Sequence, residues 1–81
     1  MLTEYLSAAM ERAHYELIED DEPFYGSIPG IDGLWATGKT LEGCRRNLSA
    51  ALEDWLLFSL HRGASIPEIG GLRIDVPRPA A

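Results

Sequence analysis

The sequence predicts an α+β domain with the element order α-β-β-β-α-β, in which a long main helix packs on one face of a small antiparallel meander with a returning strand. A helical repeat of apolar residues runs through 41–62, whereas 14–37 contains three short β-forming runs separated by turn residues. The length of 81 residues allows one domain, because a second hydrophobic core could not be closed from what remains. We assign an N-terminal helix to 1–13, the core to 14–76 and a tail to 77–81.

Each shorter element rests on a local pattern. Apolar residues recur at spacings of three and four over 2–13, which predicts an amphipathic first helix. A period near two predicts a strand at 14–19, and short β-forming runs predict two more at 24–28 and 34–37. Because the connections are short, the three strands are expected to pair antiparallel. Alternation of apolar and charged residues predicts the returning edge strand at 72–76.

The main helix is predicted over 41–62 from signals at both ends. Thr40 stands directly before the first apolar residue and is a typical N-cap, while Gly63 follows a basic last turn, as is common at helix C-termini. Leu57 and Phe58 widen the apolar zone beyond one stripe. We therefore expect the last turns to be covered from two sides, either by the first helix or by a second subunit.

The stretch GLWATGKT at 33–40 matches the phosphate-loop pattern G-x-x-x-x-G-K-[ST]. A phosphate loop has to curl so that successive N–H groups point at the anion. The variable positions 34–37 are instead bulky and β-forming, which favours an extended strand. We interpret Gly38 as the end of that strand, Lys39 as solvated and Thr40 as the helix cap, and expect no nucleotide or other cofactor.

No other constellation of residues indicates catalysis or metal binding. His14 and His61 lie on different predicted elements, and the single cysteine, Cys44, falls on the inner stripe of the main helix. Glu53 and Asp54 are adjacent, so on a helix they point about 100° apart and cannot share one metal or proton. The sequence therefore predicts a protein that is not an enzyme and holds no metal.

The charge balance indicates the kind of partner. Seven basic and thirteen acidic residues give a net charge of −6, which disfavours nucleic acid as a direct ligand and favours a basic protein. The candidate partner-binding residues are Glu19, Asp20, Asp21, Glu22, Phe24, Leu57 and Phe58. For the acidic segment 19–22 the alternative is a solvated turn. No apolar run approaches the roughly 18 residues that span a bilayer, so we expect a cytoplasmic protein.

A composite pattern resembles the N-terminal domain of HicB antitoxins over about residues 14–76. It consists of YELIE at 15–19, FYGSIPGIDG at 24–33, TGKTLE at 37–42, NLSAALEDWL at 47–56 and IP at 66–67. The sequence departs from the family pattern at Trp35 and Ala36, at Lys39 in place of an acidic residue, at Gly43, and in its N-terminal helix.

The resemblance implies a partial RNase H-like fold without the carboxylate cluster that would hold magnesium. It also implies a function, namely binding and neutralising a small basic HicA-like toxin that cleaves mRNA. The chain ends at Ala81 without room for the DNA-binding segment of longer members, so operator binding is not expected. The alternative is a solitary HicB-like domain that serves as an oligomeric interaction or scaffold protein without enzymatic activity, and in either case a homo-oligomer is expected.

Overall fold

The computed structural model describes residues 2–74 and contains two helices and three strands. The elements are α1 (Leu2–Glu11), β1 (His14–Leu17), β2 (Phe24–Ser27), β3 (Trp35–Gly38) and α2 (Leu41–Arg62). The predicted α+β class is confirmed, as are the order of these five elements and the bounds of α2. Across residues 2–74, neither helix is both long enough and apolar enough to cross a lipid bilayer.

The three strands form one antiparallel sheet in the order β1-β2-β3. In the middle row of the sheet Tyr15 stands opposite Gly26, and Gly26 stands opposite Ala36. A Cβ atom at Gly26 would lie 3.0 Å from the Tyr15 ring and 3.2 Å from Cys44 Sγ. The glycine thus lets the tyrosine ring and the helix pack closely onto the same face of β2.

Helix α2 covers this face of the sheet, and α1 packs on α2. The buried apolar core comes from both helices, the sheet and the loops: Tyr5, Ala9, Ile28, Ile31, Leu34, Ala36, Cys44, Leu48, Leu52, Leu56 and Ile69. The Tyr5 hydroxyl donates a hydrogen bond of 2.6 Å to the Pro67 carbonyl oxygen, which ties α1 to the segment after α2. Helix α2 is therefore the central element of the fold, because it packs against both the sheet and α1.

The predicted returning strand at 72–76 is not found within the described residues. Leu72 and Ile69 instead exchange two backbone hydrogen bonds of 2.8 and 3.1 Å, which form an isolated antiparallel bridge. Gly70 and Gly71 adopt φ values of 58° and 78°, and this left-handed pair folds the chain back on itself. Positions 75 and 76 of the predicted strand lie outside the described range, as does the tail at 77–81.

Candidate partner-binding surfaces

The GKT segment begins at a buried glycine that packs against α2, whereas Lys39 and Thr40 are exposed. A Cβ atom at Gly38 would overlap the backbone of Cys44, with the Cys44 Cα only 2.7 Å away. The Gly43 N–H donates to Thr40 Oγ1 at 2.9 Å, and the Cys44 N–H donates to the Thr40 carbonyl oxygen at 2.9 Å. The first turn of α2 thus packs directly on Gly38, and the N–H groups of Gly43 and Cys44 already have acceptors. The predicted strand end and helix cap are confirmed.

Cys44 is a core residue with no exposed surface. Its thiol lies 3.5 Å from the Ala36 carbonyl oxygen, to which it donates a weak hydrogen bond. Burial raises the pKa of the Cys44 thiol, and the nearby negative charge of Glu22 raises it further. A protonated thiol without solvent access is a poor nucleophile. Its packing role, predicted from its place on the inner stripe, is confirmed.

The remaining catalytic candidates do not converge. His14 is exposed on β1, whereas His61 is exposed in the last turn of α2. Glu53 and Asp54 are likewise exposed on the surface of α2. Across the part of the chain that the structure describes, no three side chains of His, Cys, Asp or Glu are placed to hold one metal ion. The exposed features that remain are surfaces on which a partner could dock.

The acidic segment forms a closed hairpin loop between β1 and β2. The Ile18 N–H donates to the Pro23 carbonyl oxygen at 2.8 Å, and Asp20 Oδ2 accepts from the Glu22 N–H at 3.2 Å. Glu22 turns toward the sheet, where its Oε1 accepts a 2.6 Å hydrogen bond from Thr37 Oγ1. Of the four predicted acidic contact residues, Glu22 is thus engaged internally and half-buried, while the other three are exposed.

Two exposed leucines accompany these carboxylates. Leu17, the last residue of β1, leaves 72% of its surface exposed, and Leu41, the first residue of α2, leaves 50%. The register places Leu17 opposite Phe24 and Phe24 opposite Gly38, so the hairpin, the end of β3 and the start of α2 meet at one end of the molecule. We call Leu17, Glu19, Asp20, Asp21 and Leu41 the hairpin surface. Phe24, which was predicted to contact a partner, is half-buried beneath it.

The other predicted apolar contacts lie on the C-terminal half of α2. Leu57 is 63% exposed and Phe58 is 59% exposed, and the Arg62 guanidinium carbon lies 5.3 Å from the centroid of the Phe58 ring. Asp54 and His61 are exposed on either side of this pair along the helix. We call Asp54, Leu57, Phe58, His61 and Arg62 the helix surface.

The structure separates the two surfaces. Leu57 follows Leu41 by sixteen positions on the same helix, which at 1.5 Å per residue is about 24 Å. The predicted set of seven contact residues is therefore not one site. It divides into an acidic and apolar end at the hairpin and an apolar stripe with mixed charges farther along α2.

The face of the sheet opposite α2 carries a stacked aromatic pair that sequence reasoning missed. The Tyr25 and Trp35 rings stack with centroids 5.9 Å apart and planes inclined by 18°, and Trp35 is 55% exposed. In the register of β2 and β3, Tyr25 stands opposite Thr37 and Ser27 stands opposite Trp35. Tyr25 and Trp35 are therefore diagonal neighbours on the same face of the sheet. Only the strand register brings these two aromatic residues into contact, since they are ten positions apart in the chain.

Comparison with known proteins gives a family match and a close structural match. The model of a family described as UPF0150-like matches residues 4–67. The crystal structure of TTHA0281 from Thermus thermophilus is 60% identical in sequence and superposes with a TM-score of 0.90, with 95% of each chain covered. No curated protein matches the chain significantly.

Proposed function

The chain belongs to the UPF0150-like family, and from that premise we propose that it is a non-catalytic, antitoxin-like protein that binds and neutralises a small basic HicA-like toxin. Support comes from the composite resemblance to the HicB N-terminal domain over about 14–76, which overlaps most of the matched segment 4–67. The proposed target cleaves mRNA, so the proposed function is a cytoplasmic one.

The hairpin surface is the observation that carries this proposal. Glu19, Asp20 and Asp21 expose three carboxylates on a short loop that the Ile18–Pro23 hydrogen bond closes, so the three charges lie close together. Leu17 and Leu41 supply apolar area beside them. A basic protein would be steered by the net charge of −6 and then held by the combination of charged and apolar contacts.

The toxin-binding proposal is tested with a small basic HicA-like toxin. The two proteins are co-purified, and the binding constant is then measured by calorimetric titration. The triple variant E19Q/D20N/D21N removes three charges while keeping an oxygen acceptor at position 20 for the Glu22 N–H. We expect it to weaken binding at least about tenfold at low salt, because three complementary charges are lost.

A matched control removes the same charge elsewhere. The variant E11Q/D32N/E68Q neutralises three exposed carboxylates outside the hairpin surface and changes the net charge by the same amount. Its binding constant should stay close to that of the unaltered protein. Absence of any complex with the HicA-like toxin, or equal weakening by both triple variants, would contradict the proposed use of the hairpin surface.

The second candidate function is a solitary oligomeric interaction or scaffold domain without enzymatic activity. The exposed Leu57 and Phe58 favour it, because adjacent large apolar side chains in water mark a surface that associates. A small domain also gains buried area by forming a homo-oligomer. Sedimentation of the isolated protein tests this reading, since a monomer at all concentrations would exclude it. The two functions are compatible, because they use different surfaces.

A further inference from the structure

We propose that the helix surface is a self-association site at which two copies pack their α2 helices antiparallel, around a two-fold axis that passes between Leu57 and Phe58. The occupant of this apolar stripe is a second copy of the chain. The inference rests on the oligomeric part of the proposed function and is independent of toxin binding.

The stripe is placed for such a contact. Asp54 lies one turn before the Leu57–Phe58 pair and His61 lies one turn after it. At about 100° per residue, Asp54 and His61 both point within roughly 10° of the direction midway between Leu57 and Phe58. The buried Leu52 and Leu56 point to the other side of the helix, toward the core. The four exposed side chains therefore form one straight seam on the outside of α2.

The polar groups along this seam are complementary to an antiparallel copy and not to a parallel one. Asp54 and His61 are equally far from the midpoint, so the two-fold axis sets Asp54 of one copy against His61 of the other, twice. The neighbouring Arg62 is long enough to reach the same carboxylate. A parallel pair in register would instead set Asp54 against Asp54 and His61 against His61. Two Asp54 carboxylates facing each other in this way repel.

The same composition argues against a basic partner at this surface. The hairpin surface carries only negative charge among its ionisable residues, whereas the helix surface carries both Asp54 and the basic pair of His61 and Arg62. Arg62 is held over the Phe58 ring, which keeps its positive charge beside the apolar centre of the stripe. A surface that presents both signs symmetrically about its centre fits a copy of itself, as an isologous dimer interface requires.

The experiment exchanges charges across the proposed seam. In D54R the introduced guanidinium of each copy faces His61 and Arg62 of the other, whereas in H61E the introduced carboxylate of each copy faces Asp54 of the other. Both variants thus place like charges at both symmetric contacts, and we expect the dimer dissociation constant of each to rise at least about tenfold.

An equimolar mixture of the two variants restores the complementarity. The introduced guanidinium of D54R meets the introduced carboxylate of H61E at one contact, and the remaining Asp54 meets the native basic pair at the other. The mixture should therefore regain dimers, all of them heterodimers, in sedimentation equilibrium. This rescue distinguishes a direct charge contact from a general loss of stability, because neither variant alone would associate.

Controls separate this effect from misfolding and from toxin binding. Far-UV circular dichroism melts verify that D54R and H61E keep their helices, and the exposed substitutions H14E and E68R make similar charge changes away from the seam. These two controls should dimerise like the unaltered protein.

A monomeric unaltered protein, single variants that dimerise normally, or a mixture that stays monomeric would each overturn the inference. D54R should still bind the basic toxin, so a failure of dimerisation leaves that proposal standing, and E19Q/D20N/D21N should still dimerise.

Discussion

At Gly38 the backbone of β3 approaches the first turn of α2 so closely that no side chain fits. The nearest backbone atoms belong to Gly43 and Cys44, which are held in the helix and cannot retreat as the tip of a flexible side chain would. This contact explains why a glycine stands at the sixth position of GLWATGKT. Gly38, which occupies the second glycine position of the phosphate-loop pattern, is thus required for the packing of α2 on β3.

The substitution G38A is expected to lower the free energy of unfolding by about 3 kcal/mol or more, because overlap with main-chain atoms forces the helix off the sheet. The matched control is G33A, at a residue with φ of 80° and no atom within 4 Å of an added Cβ. That change carries only the conformational penalty of a left-handed residue, about 1–2 kcal/mol. Urea unfolding followed by circular dichroism compares the two, and an equal or smaller loss in G38A would contradict the steric argument.

At the scale of the element, α2 shows how local signals define a helix. Thr40 at its start accepts a hydrogen bond from the Gly43 N–H, and Gly63 at its end adopts φ of 67° and donates to the Leu60 carbonyl oxygen at 3.1 Å. Both capping residues are recognisable in the sequence, and the predicted bounds are therefore correct at both ends. The predicted first helix lacks a comparable stop signal. Its apolar pattern predicts a helix to residue 13, whereas α1 ends at Glu11.

The capping role of Thr40 gives a prediction at this scale. T40A should lower the free energy of unfolding by about 1 kcal/mol, whereas T40S should lower it less because the hydroxyl acceptor is retained.

K39A should leave stability unchanged, since Lys39 is exposed and only its neighbour Thr40 caps the helix. Thermal melts with and without saturating ATP and magnesium complete the test. Stabilisation by the nucleotide that disappears in K39A would show that the motif binds phosphate.

The strands show where sequence patterns stop being sufficient. Alternation at 72–76 predicts a strand, yet alternation does not identify a pairing partner, and the turn at Gly70 and Gly71 pairs Leu72 with Ile69 instead.

The sequence predicts only the charged part of the hairpin surface. The exposure of its two leucines depends on where α2 begins relative to β1, which is a property of the packed molecule. The stack of Tyr25 on Trp35 depends on register in the same way.

At the scale of the whole molecule, the two proposed interfaces lie far enough apart not to compete. The molecule extends 49 Å along its long axis but only 22 and 17 Å across it. In the proposed antiparallel dimer the C-terminal halves of the two α2 helices meet, so the two hairpin surfaces point away from each other at opposite ends. Such a dimer would bind two toxin molecules without competition, and its two sites would not depend on each other for their geometry.

The response of the whole fold to alkaline pH follows from its buried acids. Burial raises the pKa of Tyr5 and Tyr15 above their ordinary value of 10.0, and it raises the pKa of Cys44 above 9.0. The unfolded chain loses these protons first, so the stability contributed by the neutral groups is fully present below the ordinary pKa values. It declines as the pH rises from about 9 through the raised values of the folded state.

We therefore expect the free energy of unfolding to be level between about pH 7 and 8.5 and to fall steadily above about pH 9. Urea unfolding at a series of pH values measures this profile. The variant Y5F should show a shallower decline, because one ionisable group is removed, even though it is less stable at neutral pH after losing the hydrogen bond to Pro67. The informative quantity is the slope, which is insensitive to that constant loss. A profile that rises with alkalinity, or a Y5F slope as steep as that of the unaltered protein, would show that the buried tyrosine does not control alkaline stability.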